Sequence, residues 1–223
     1  MSKATCDLTI DDLPPEIPLF PLSGALLLPD GRLPLNIFEQ RYLAMVEDAL
    51  GQDRFIGMIQ PRQADRQTIG NGEPIYDVGC LGRMVAFAET DDGRYLITLE
   101  GLVRFKITQN LDVTKGYRNA LVAYHGFEND FDRDRVEGFG RQPFIDALHA
   151  YFSLFQINGS WEALEKADEA TLITSVAMAV PLNPEEKQAI LESQTLADQG
   201  ELLRSLMEMA VHEKQGVSTP VRH

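Results

Sequence analysis

Residues 16–42 read EIPLFPLSGALLLPDGRLPLNIFEQRY, and the fold is decided there. The apolar residues fall in three short runs, 17–22, 25–28 and 33–38, punctuated by Pro18, Pro21, Pro29 and Pro34. Proline cannot donate to a strand ladder, so such runs belong at strand ends, bulges and sheet edges and predict a bent, irregular sheet. Over 39–50 the period becomes helical: Tyr42, Met45, Val46, Ala49 and Leu50 share one face, and Gly51 stops the helix. Further on, 54–60 reads as a strand, 76–89 and 94–100 as a hairpin closed by Asp92-Gly93, and 102–108 and 117–125 as the last strands. About eight short strands in about 110 residues imply a barrel that is closed or nearly so, because closure removes exposed edges.

Beyond residue 131 the pattern is helical. Phe144, Leu148, Tyr151, Phe152 and Phe155 form a stripe ending at Asn158-Gly159, and a short helix carrying Trp161 and Leu164 follows. Asp168 opens a helix that Pro181 ends. Asn183, Pro184, Glu185 and Glu186 combine an N-cap, a first-turn proline and carboxylates at the positive end of the helix dipole. Asp198 and Glu201 repeat that signal before Leu202, Leu203, Leu206, Met209 and Ala210. The expected class is therefore α+β: a β-barrel subdomain with one associated helix over 16–125, then an α-helical bundle subdomain over 131–214. Residues 1–15 and 215–223 are expected to be flexible termini, and the polar segment 61–74 a mobile loop.

Composition narrows the function. The 223 residues carry a net charge of −14, with 12 basic and 17 acidic groups over 1–125 and 8 and 17 over 126–223. That field repels nucleic acid and anionic membranes. Even the most basic window, 83–118, sets six basic residues against five acidic ones. Cys6 and Cys80 offer neither a disulfide framework nor paired zinc-ligand spacing, which suits a reducing cytoplasm. The opening residues lack the basic and apolar regions of a secretory leader, and the aliphatic run 25–28 is far short of the ~20 residues that cross a bilayer. A soluble, cytoplasmic protein is expected.

No catalytic constellation, metal site or cofactor site is visible. None of the six lysines follows a glycine, which excludes the phosphate-loop ending, and no dinucleotide fingerprint, G-x-S-x-G or H-E-x-x-H occurs. His125, His149, His212 and His223 are dispersed, and His149 reads as a partly buried packing residue. Asp11-Asp12, Asp91-Asp92 and Glu185-Glu186 read as tail, turn and helix start. Arg62 and Arg66, on either side of Asp65, read as solvated loop charges. The sequon Asn158-Gly159-Ser160 reads as a loop.

Three charges lie inside apolar surroundings. Glu39 and Arg41 sit where strand hands over to helix, and Arg104 interrupts LEGLVRFKI. Unpaired charge in such places is costly, so Glu39 is predicted to pair with Arg104 or Arg41. The pairing reads as a clamp tying helix to barrel; the alternative is a grip on a peptide's backbone or terminus.

The same residues carry a resemblance. Ile17-Pro18-Leu19-Phe20-Pro21-Leu22, Leu28-Pro29, Leu33-Pro34-Leu35-Asn36-Ile37-Phe38-Glu39 and Arg41-Tyr42 resemble the opening signature of the amino-terminal domain of Lon proteases and of stand-alone proteins built from it. Tyr76-Asp77-Val78-Gly79-Cys80-Leu81-Gly82 and Glu100-Gly101-Leu102-Val103-Arg104-Phe105 are similar to its later strands. Pro181-Leu182, Glu186-Lys187-Gln188 and Ile190-Leu191-Glu192 are similar to its helical half, so the likeness spans 16–212. It implies a PUA-like barrel followed by a helix bundle, a module that engages protein substrates in Lon and contributes no catalytic residue. This sequence ends where a Lon protease would continue into its ATPase and serine-lysine peptidase. The expected function is non-catalytic polypeptide binding, the partner an unfolded or specific polypeptide or a separate protease complex. RNA binding through the barrel, and a peptidase with an unrecognised site, are the alternatives.

Overall fold

A computed structural model describes residues 8–62, 70, 72–113, 115–131, 136, 138–157 and 159–217. Its strands are β1 (Glu16–Pro21), β2 (Arg32–Ile37), β3 (Phe55–Ile59), β4 (Val78–Glu89), β5 (Tyr95–Asn110) and β6 (Arg118–Ala123). They pair in the order β2-β5-β4-β3-β1-β6, and β6 returns to β5. Strands β5, β4, β3, β1 and β6 thus close a barrel, with β2 laid against the first half of β5. All pairings are antiparallel except β1 with β3. The crossover between those two carries β2 and helix α1 (Gln40–Leu50), whose Tyr42, Leu43, Met45, Val46 and Ala49 face the core.

The barrel has fewer strands than expected for two reasons. Residues 25–28 form no strand; Leu26, Leu27 and Leu28 are buried as an irregular plug. Residues 94–100 and 102–108 lie in one strand that passes straight through Gly101. There the Gly101 N–H donates to the Gly31 carbonyl and the Gly101 carbonyl accepts from the Asp30 N–H. A side chain at 101 would overlap the Leu28 carbonyl, so glycine is what allows the plug to lie on β5.

The helices are α2 (Arg141–Phe155), α3 (Trp161–Lys166), α4 (Glu169–Ala179), α5 (Pro184–Glu192) and α6 (Leu196–Val217). Asp168 caps α4 by accepting from the Thr171 N–H at 2.8 Å, and Asn183 and Glu186 form a reciprocal capping box on α5. Helix α2 ends earlier than the glycine signal suggested, at Gln156 in the left-handed region (φ 56°); Asn158 lies outside the described residues. Helix α6 starts before Asp198. The Thr195 hydroxyl accepts from the Asp198 N–H while the Asp198 carboxylate accepts from the Thr195 N–H, so Asp198 is the box's inner partner rather than its opener. The helix also runs on to Val217, past the expected limit at 214. At the other end Leu13 is buried, and the Pro14 and Pro15 carbonyls accept from the Tyr124 hydroxyl and the Val122 N–H. Residues 13–15 therefore belong to the barrel rather than to a loose tail.

One apolar cluster fills the barrel interior with Ile17, Leu19, Leu81, Val103 and Phe105. A larger one runs without a break from Leu27, Ile37 and Met45 to Phe144, Leu148, Leu172 and Leu203 of the helical half. The two compositional halves share a core. No helix among the described residues is long and apolar enough to cross a membrane.

Candidate functional site

The charged residues singled out in the sequence do not converge. Arg104, 2% exposed on β5, grips Asp130 through Nε at 3.0 Å and Nη2 at 2.7 Å. Its remaining donors reach the carbonyls of Leu191 (3.1 Å), Ser193 and Gln194 (3.3 Å), and its guanidinium lies over the Phe127 ring. It fastens the barrel to the 3-10 turn Glu128–Phe131 and to the α5–α6 connection. Glu39 is no part of this, which corrects the expected Arg104 pairing. Its carboxylate accepts from Arg41 Nε and Nη2 at 3.0 and 2.8 Å, the other expected partner, and that pair lies wholly at the start of α1. Asp130 comes from a segment with no apolar pattern, so nothing in the sequence marked it.

The other candidates are also accounted for. Arg62 pairs with Asp77 at 3.2 Å and donates to the Ile75 carbonyl; Asp65, Arg66 and most of the expected mobile loop lie outside the described residues. His149 stacks on Trp161 with centroids 3.8 Å apart, on an exposed surface rather than a half-buried one. Cys80 is buried, and Cys6 lies outside the described residues. Among the described residues no group of three or more His, Cys, Asp or Glu is arranged to hold a metal.

The feature sequence reasoning missed is a three-stranded sheet, β2-β5-β4, with two open edges. Strand β4 leaves β3 at Arg83, and its last bond on that side is Met84 N–H to the Arg54 carbonyl. The phase of the ladder follows from the hairpin turn, where Thr90 N–H donates to the Arg94 carbonyl. Counting back in twos, Ala88 and Ala86 face their partners Leu96 and Thr98, so Phe87 and Glu89 turn their N–H and C=O groups outward. By the same alternation from Gly31 and Gly101, β2 turns Arg32, Pro34 and Asn36 outward, where the missing N–H of Pro34 breaks no ladder bond. The β2 edge looks into a groove of about 1010 Å³ between barrel and α4, lined by Leu33, Pro34, Thr174 and Met178 among others.

Along the β4 edge the exposed side chains are apolar up to Glu89 at the hairpin end. Val85, Phe87 and Leu96 are 43%, 42% and 46% exposed, and Phe38, just beyond β2, is 64% exposed. Phe87 meets Tyr95 edge-on at 5.0 Å, and the Tyr95 hydroxyl donates to Glu47 of α1 at 2.9 Å. On the opposite face Ala86 and Ala88 leave space beside Leu96. Open backbone groups flanked by exposed apolar side chains on both faces can accept an extended chain as an additional strand.

The architecture is that of solved Lon N-terminal domains. The chain is similar to the Lon N-terminal domain protein from Xanthomonas campestris, with a TM-score of 0.58 and 22% identity over 85% of this chain and 97% of that one. It is likewise similar to the N-terminal domain of the Mycobacterium avium complex Lon protease, with a TM-score of 0.61 and 14% identity over 86% and 98%. The family model for the ATP-dependent protease La (LON) substrate-binding domain matches residues 16–209, and the chain belongs to that family. Among full-length relatives, Lon protease 2 of Myxococcus xanthus is 26% identical over 201 residues, 88% of this chain and 24% of that protein. Lon protease of Anaeromyxobacter dehalogenans is 30% identical over 99 residues, 44% of this chain and 12% of that protein. The chain spans at most about a quarter of the length of these curated relatives.

Proposed function

We propose that this chain is a non-catalytic polypeptide-binding module of the cytoplasm that captures extended apolar segments along residues 85–89 of β4 and presents them to an associated protease. The observation that carries this reading is the outward backbone of Phe87 and Glu89 between exposed apolar side chains. The family description, a substrate-binding domain, supports it. A captured segment gains a few backbone hydrogen bonds, each worth about 0.5–1.5 kcal/mol net, and buries part of three apolar side chains. Binding is therefore modest, in the range of tens of micromolar, and tolerant of sequence. Glu39, Arg41 and Arg104 have structural roles in this reading, since their bonds are made within the chain.

Fluorescence anisotropy with apolar peptides and a permanently unfolded protein tests it. Replacing Phe87 and Leu96 together by lysine is expected to weaken both at least tenfold while moving Tm by less than about 4 °C, the effect of roughly 1 kcal/mol in a chain of this size. Unchanged affinity would remove β4 from the binding surface.

A further inference from the structure

The charge around the β4 edge is lopsided. At the hairpin end Glu89 and Asp91 are exposed, and neither has a salt-bridge partner among the described residues. The nearby cation, Arg94, is held by Asp92 at 2.6 Å. Glu47 adds a further carboxylate beneath the same face, bound to the Tyr95 hydroxyl. At the opposite end, where β4 joins the barrel, the exposed charges are Asp53 and Arg54, which offset each other. An incoming strand therefore meets negative charge at one end only.

Register converts this into a specificity. A guest residue opposite Phe87 has neighbours opposite Ala86 and Ala88, on the face where small side chains leave room beside Leu96. A guest residue two positions away toward the hairpin lies opposite Glu89, on the side that Phe87 occupies; in the other direction the bulge at Val85 interrupts the alternation. An antiparallel guest, the slightly more stable pairing, runs from the Glu89 end toward Val85. Resting on the polypeptide-binding reading above, we propose that the β4 edge selects extended segments in which a lysine or arginine precedes a run of three apolar residues, the cation lying against Glu89 and the middle apolar residue against Phe87.

The test uses labelled peptides KVFVT, AVFVT and EVFVT between glycine-serine flanks, titrated into the full chain at low salt. KVFVT is expected to bind about two- to fivefold tighter than EVFVT, the range of one exposed ion pair, with AVFVT between them. The spread closes at 0.5 M salt. Glu89→Gln removes the preference and Glu89→Lys inverts it; both are exposed-site changes, and equal melting temperatures confirm that the fold is intact. Equal affinities for the three peptides in the unaltered chain, or a preference that persists in Glu89→Lys, overturn this inference and leave general polypeptide binding standing. Failure of all three peptides, and of an unfolded protein, to bind overturns both.

Discussion

Arg104 and Asp130 form a bidentate ion pair whose side chains are only 3% and 8% exposed, and the same guanidinium binds backbone carbonyls at the α5–α6 connection. One side chain thus links a barrel strand, the linker and the bundle. Removing it strands a buried carboxylate and leaves three carbonyls without their donor. Arg104→Ala is expected to cost about 3–5 kcal/mol in urea denaturation, the range for breaking a buried pair. Arg104→Lys should recover little of that, because an ammonium cannot reproduce the planar fork.

Glu39→Ala supplies the contrast. Its pair with Arg41 is local, and the two side chains are 32% and 17% exposed. Its loss is expected to cost less than about 1 kcal/mol. Peptide affinity should be unchanged. A variant with normal stability and lost binding would return Glu39 to the peptide-gripping role considered from the sequence.

Stability at the extremes of pH depends on the contact between α1 and the start of β6. The Tyr117 hydroxyl donates to Asp48 at 2.7 Å, and Lys115 donates to the same carboxylate at 2.6 Å. Burial, reinforced by that bond, pushes the Tyr117 phenol up to about 12. A group that ionises later in the folded chain than in the unfolded one stabilises fully below its unfolded value near 10, and that contribution is lost as pH rises toward 12. Asp48 behaves in the opposite sense: bonds from Lys115 and then Tyr117 hold it below 3.8, so its contribution is present above 3.8 and fades as acid protonates it. Phenolate absorbance and melting temperature followed together from pH 9 to 12.5 check the alkaline limb; Asp48→Asn should shift the Tyr117 transition downward.

Gly101 predicts a defect that would be invisible in the apolar pattern. Alanine there collides with the Leu28 carbonyl, so either β5 or the buried plug must move, at about 1–3 kcal/mol for overpacking plus strain on the Gly31 and Asp30 bonds. Denaturant unfolding of Gly101→Ala measures it; a cost below about 0.5 kcal/mol would show that the plug yields freely.

What the sequence made legible follows from which forces are local. Helix α5 was readable because its start depends on Asn183, Pro184 and Glu186 acting within one turn. The Asp92-Gly93 turn was readable for the same reason, with Gly93 at φ 76°. The partner of Arg104 was not, because Asp130 is brought in by tertiary packing from 26 residues away. Neither was the open edge of β4, since whether a strand end is covered depends on where its neighbour begins, and β3 begins at Phe55, opposite Arg83, leaving the rest of β4 uncovered. The plug at 26–28 misled because a buried aliphatic run looks the same whether or not its backbone joins a ladder.

The shared core makes the last prediction. Sequence boundaries suggest that a barrel could be cut free after residue 125, but Leu27, Leu28, Ile37 and Met45 are buried in the cluster that continues into Phe144, Leu148 and Leu203. Polar contacts follow the same route: Gln60 donates to the Pro184 carbonyl at 3.0 Å, Lys187 to the Gly24 carbonyl at 2.6 Å and Gln188 to the Val78 carbonyl at 3.1 Å. Exposing even part of that apolar surface, at about 1.5–3 kcal/mol per large side chain, removes as much free energy as a domain of this size has in reserve. The whole chain is therefore expected to unfold in one transition by fluorescence and circular dichroism alike, and residues 8–125 alone to lack a cooperative melt. Two separated transitions, or a dispersed NMR spectrum from 8–125, would show that the barrel closes its core without the bundle.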